Sequence, residues 1–160
     1  MILLLALQAA SPAETLDAPM PPGFTVGFSA ARGDQSIEER IPAGETVEDW
    51  TRMITVQRMG GIAGVGAHAF AERLGTLMAQ ACPGATAAPI VDGTDGAAKS
   101  ATMRVDCPRN PATGKPETMF GRILAGKTDI HVAQYALRAK ADAADAATAA
   151  RYLASVHLRN

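Results

Sequence analysis

Apolar residues recur at every second position in several short runs of this chain and at helical spacing in two longer ones. In FTVGFSA, Phe24, Val26 and Phe28 share one face, the alternation of a β-strand. RGDQS is a turn by composition, and IEERIPAGE reads as a second, mostly polar strand with a proline-marked end. In GETVEDWTRMITVQRM, Thr46 followed by Asp49 has the form of a helix-capping signal and permits one helical turn over Val47 to Trp50. The β-branched Ile54, Thr55 and Val56 then favour a strand. Along it Met53, Thr55, Gln57 and Met59 face one way and Arg52, Ile54, Val56 and Arg58 the other. Both sets are mixed, so the pattern leaves the buried face open.

After the glycine-rich connector GGIAGVG, the segment AHAFAERLGTLMAQACPG is amphipathic. Phe70, Leu74, Leu77, Met78 and Ala81 form its expected stripe, and Pro83-Gly84 stops it. IVDGTDG reads as a turn-bearing segment. ATMRVDC alternates again, with Met103, Val105 and Cys107 on one face. TMFGRILAGKTDIHVAQYALR predicts a hairpin turning near Gly126-Lys127. The last segment, ADAADAATAARYLASVHLRN, is helical by propensity, with Ala146, Ala149, Ala150, Leu153 and Val156 as its inward stripe. Asp142 and Asp145 near its start, and His157 and Arg159 near its end, complement the helix dipole. The order strand, strand, strand, helix, strand, hairpin, helix predicts an α+β fold: a single domain, a mostly antiparallel sheet, and two helices packed on one face.

Composition narrows the class. The chain has 160 residues, which suits one domain, and its 48% apolar content includes much alanine but only 4% aromatics. The net charge of −1 argues against a nucleic-acid binder and against a polybasic membrane-surface protein. Residues 1–13 (MILLLALQAASPA) resemble the back half of a secretory signal peptide: a short apolar run, then small residues. The segment is atypical in having no basic residue before the run. The run is too short to span a bilayer as a helix, so no transmembrane span is expected in the mature chain. Residues 14–22 carry three prolines and read as a linker or extended lead-in to a domain over 23–160. Cys82 and Cys107 are an even count in an exported domain, which predicts one disulfide. A pair of buried thiols is the rival reading.

GETVEDWTRMITVQ, a helix ending in a cysteine, a strand ending in VDCP, and ILAGKTDIHVAQYALR resemble a group of uncharacterised secreted or periplasmic proteobacterial proteins. The shared features are a W-T-x-M-x-T motif (Trp50, Thr51, Met53, Thr55) and two spaced cysteines, within about Glu45 to Arg138. The resemblance implies an envelope location and no catalytic residues.

The search for chemistry returns little. No serine lies in a G-x-S-x-G elbow, and the glycines of GGIAGVG fit neither a dinucleotide fingerprint nor a P-loop. Asp92 and Asp95 sit in a turn without the calcium-loop pattern. His68 and Glu72, four apart on one helix face, are a weak metal-ligand candidate without a third ligand at telling spacing. His131 reads as a strand-surface residue. Trp50 is either a core or boundary anchor or, with Arg52 and Arg58, a ligand-stacking platform. These readings favour a non-catalytic exported domain that binds a partner protein or small ligand in the cell envelope, with no cofactor. The alternative is a metal-assisted hydrolase using His68 and Glu72.

Overall fold

The structure, a computed structural model, describes residues 14–159; the signal-like segment 1–13 lies outside the described residues. The alternating runs form β2 (Phe24–Arg32), β3 (Gln35–Pro42) and β4 (Arg52–Met59). Helix α1 (Ala67–Ala81) follows, then β5 (Thr86–Ala87), β6 (Val91–Asp95), β7 (Ala98–Cys107), β8 (Glu117–Ala125) and β9 (Ile130–Leu137). Helix α2 (Ala143–Ala154) and β10 (His157–Arg159) end the chain, and β1 (Thr15–Asp17) precedes it all. One eight-stranded sheet runs β2-β3-β4-β9-β8-β7-β5, with β6 also on β7, and every pairing is antiparallel. The α+β class, the single domain and the antiparallel sheet are as the sequence predicts.

Strand parity refines where the helices sit. On β8, Phe120 and Leu124 pack with Ala149 and Leu153 of α2; Met119 and Ile123 pack with Ala67 and Ala71 of α1. Successive strand residues point to opposite faces. Each helix therefore covers one face, and the central strands β8 and β9 are buried on both. This answers the question left open at β4. Ile54 and Val56 face α2, while Met53 and Met59 look to the other side, so both mixed faces are used. Fully burying a side chain such as Ile54, at 0% exposure, is worth about 1.5–3 kcal/mol.

Helix α1 approaches the sheet through Ala67, Ala71 and Gly75, all buried, with Phe70, Leu74 and Met78 alongside. Leu77, expected in the stripe, is instead 54% exposed. The small residues let the helix backbone lie close to β7, and larger neighbours wrap the contact. Helix α2 begins in a reciprocal capping box: Asp142 accepts from the Asp145 N–H, and the Asp145 carboxylate accepts from the Asp142 N–H.

Five local readings are corrected. The helical turn at Val47–Trp50 is a non-helical loop, although Thr46 Oγ1 does accept from the Asp49 N–H at 3.1 Å. IVDGTDG is largely strand β6, because β7 offers its full length as a template. The final helix stops at Ala154. Beyond it His157–Arg159 pair with Thr15–Asp17, so part of the proline-rich lead-in is a strand, with Leu16 opposite Leu158. His131 is 1% exposed, not a surface residue.

Cys82, at the end of α1, and Cys107, at the end of β7, form a disulfide with their Cα atoms 5.9 Å apart. It ties the helix to the strand it packs on. No helix among the described residues is long and apolar enough to cross a membrane.

Candidate functional site

Helix α2 lies over β8 and β9 and leaves β7 and β6 uncovered on its own face. The small Ala150 and Ala154 line the gap where longer side chains would close it. The result is a groove of about 510 Å³, walled by α2 and by Val91, Thr94, Thr102 and Phe120 of the sheet. Pockets of this size, mostly apolar with a few placed polar groups, suit small ligands.

Two arginines stand in the groove, and both are already matched. Arg104 holds Asp106 through Nε and Nη2, each at 2.8 Å, and its guanidinium stacks 5.0 Å from the Phe120 ring centroid. That pairing holds the Asp106 carboxyl below the usual carboxylate range. Arg122, 9% exposed, donates from Nη1 to the Leu153 carbonyl at 2.9 Å. That carbonyl, in the last turn of α2, also accepts from the Val156 N–H at 3.2 Å. Its Nη2 lies 3.5 Å from Asp95. Asp95 also accepts from the Leu158 N–H and faces His157 Nδ1, both at 2.7 Å. Burial pushes Asp95 up, but His157, the Leu158 N–H and Arg122 together hold it below its ordinary value. His157 is thus no helix-dipole partner. It sits on β10 and anchors that strand to the end of β6. The groove's walls are fixed by a network that ties α2, β6, β8 and β10 together.

The Asp95–His157 pair borders a second, polar cavity of about 440 Å³ with Glu14 and Lys127. The imidazole is oriented as a general base requires. None of the residues lining that cavity carries a hydroxyl or thiol; the Lys127 amine and the Glu14 carboxylate are its other ionisable groups.

The candidates read from sequence do not converge. Trp50 is 9% exposed and packs with Ile41 and Met53 beyond the reach of α1. The Arg138 guanidinium covers its ring at 4.2 Å, so no stacking face stays open on that side. Arg52 is half exposed and lies 3.8 Å from Asp145. Arg58 is on the same face as Arg52 but pairs with Asp129 at 2.6 Å. Asp129 also accepts from the Gly61 N–H; against its burial, these partners bring its pKa down to about 2. Sequence reasoning missed Arg138, Asp129 and the groove arginines. A lone arginine on a strand carries no signal until its partner is placed.

His68 lies between two acids: Nδ1 is 2.8 Å from Asp92 and Nε2 is 3.6 Å from Glu72. The Asp92 hydrogen bond raises its pKa above the ordinary histidine value, and the two acids lie against opposite ring nitrogens, so they do not converge on one point. Among the described residues no cluster of three His, Cys, Asp or Glu side chains has metal-binding geometry.

Comparison with protein-family models and with curated protein sequences gives no match. Comparison of folds does. LpqN of Mycobacterium tuberculosis, described as involved in cell envelope biogenesis, superposes with a TM-score of 0.56 at 12% identity. That match covers 94% of this chain and 87% of LpqN. The Ran-binding protein Mog1p of Saccharomyces cerevisiae gives 0.51 at 12% identity, over 88% of this chain and 82% of its own. A mutant form of Mog1 gives 0.51 at 13% identity, over 86% and 78%. At such identities the likeness concerns architecture alone: this chain has the fold seen in Mog1 and LpqN.

Proposed function

We propose that this chain is a non-catalytic binding domain of the bacterial cell envelope, and that the groove beside α2 receives a small, neutral, mostly apolar ligand. The observation that carries this reading is the state of the groove's charges. Both arginines are neutralised within the protein, and the carboxylate on the groove's wall, Asp92, is paired with His68, so the site offers apolar wall and hydroxyls and no unpaired charge to a ligand. An isolated anionic ligand would have to compete with Asp106 and Asp95 for their partners, at a cost of order 1.5–3 kcal/mol per charged hydrogen bond displaced. The envelope location is supported by the signal-like start, the disulfide and the description of LpqN. A protein partner is the other use of this fold that a neighbour's name supports, since Mog1p is described as Ran-binding.

The test is a fluorescence titration with two probes of similar size, the neutral N-phenylnaphthylamine and the anionic anilinonaphthalene sulfonate. The neutral probe is expected to bind saturably and the anionic one weakly. Ala150→Trp, which fills the groove from a helix position facing solvent, abolishes the binding. Preference for the anionic probe, or neutral-probe binding unaffected by Ala150→Trp, overturns the assignment of this groove.

A further inference from the structure

We infer that the free edge of β2 is a docking surface for a second copy of this chain, joining two eight-stranded sheets edge to edge in antiparallel register. The two edges of the sheet are built differently. On the β7 side the outer strand is broken: β5 and β6 both pair with β7, and Pro89 lies between them. A proline there removes a donor and blunts the edge. Among the described residues strand β2 has no such protection. It runs nine residues without a proline, lysine or acid, and its one charge, Arg32, stands at its end. Every residue except Phe24 is exposed, including Val26 at 45% and Phe28 at 46%.

The strand is self-complementary. A bulge at Gly27 sets Val26 opposite Arg40 and Phe28 opposite Glu39, so the two apolar side chains project from opposite faces of the sheet. The second half of the strand is small: Ser29, Ala30 and Ala31 border shallow depressions of about 420 and 280 Å³. One half carries knobs and the other holes. From Phe28 to Arg32 the pairing with β3 is regular, which leaves an even ladder on the outer side. A two-fold axis through Ser29 sets Phe28 over the second copy's Ala30. With one residue taken up by the bulge, Val26 then falls over the second copy's Ala31. The two Arg32 side chains end near opposite ends of a ribbon about 30 Å long. Parallel pairing would set arginine beside arginine and knob against knob. Isologous pairing of this kind closes on itself, so the product is a dimer and not a filament.

The experiment is sedimentation equilibrium of the full chain over a micromolar to submillimolar series. A concentration-dependent doubling of mass is expected. Phe28→Lys gives a monomer with an unchanged near-ultraviolet circular dichroism spectrum. Leu77→Lys, an equally exposed apolar position on α1, leaves the dimer intact. Ser29→Cys, placed on the axis, gives a disulfide-linked dimer on mild oxidation, whereas Val65→Cys does not. A monomer at every concentration, or a dimer that survives Phe28→Lys, overturns the inference, as does binding of this edge only to a different protein.

Discussion

The buried histidine offers a sharp physical test. His131 lies on β9 opposite Leu124, is 1% exposed, and has no hydrogen-bond partner on either ring nitrogen among the described residues. Burial holds its pKa below 6.5; Glu14 and Asp129 pull the other way, and Arg58 adds to the depression. A base with a depressed folded pKa binds its proton more readily when unfolded. Its contribution is therefore neutral above the unfolded pKa, and stability falls as pH drops below 6.5 until the folded pKa is reached. The slope is at most about 1.4 kcal/mol per pH unit, so no more than about 1.4 kcal/mol is lost between about pH 7.5 and 5.5 on this account. The perturbation is His131→Leu, which fills a similar volume and removes both unpaired nitrogens. Replacing a buried polar group that has no partner is nearly neutral or stabilising. Urea midpoints for the two proteins are compared across that pH range. The variant is expected to match or exceed the parent at the upper pH, and the gap widens toward the lower. His68, whose raised pKa acts with the opposite sign, cancels in the difference. Parallel pH profiles, or a variant about 2 kcal/mol weaker at the upper pH, would refute the reasoning.

Three further outcomes are expected. Intact mass under non-reducing conditions is lower by two hydrogens than after reduction. The Cys82→Ala, Cys107→Ala double variant loses about 3.5 kcal/mol in urea unfolding on the chain-entropy model, from a separation of 25 residues. Gly75→Ala gains about 0.5–1 kcal/mol from helix propensity, because the added Cβ meets Met103 Cε at 3.4 Å, an ordinary contact; a loss of stability there shows that α1 cannot accept a methyl against β7.

Much of the fold was legible because it is local. Period-two alternation marked β7, the turn near Gly126-Lys127 marked the β8–β9 hairpin, and the helical period marked α1 between Gly66 and Pro83; β2 was found as a strand, but its bulge at Gly27 puts Phe28 on the face opposite Phe24 and Val26. What failed were readings that depend on a distant partner. The tail after Ala154 has helical propensity, yet Ser155 and Val156 turn it so that β1 can pair with it. His157 looked like a dipole partner until Asp95, 62 residues earlier in the chain, came within 2.7 Å. Trp50 was legible as an anchor by its size, but the Arg138 that covers it was not.

By itself the sequence determined the long strands and the two helices, and that two cysteines are available to pair. Those properties rest on backbone propensity, side-chain period and composition, all written in neighbouring residues. Only the tertiary structure decided that each helix takes its own face, that His131 is sealed inside, that Arg104 and Arg122 are neutralised within the groove, and that one sheet edge is broken while the other is paired with no strand among the described residues. Each of these depends on groups brought together from far along the chain, where burial and pairing set the energy and no local pattern records the outcome.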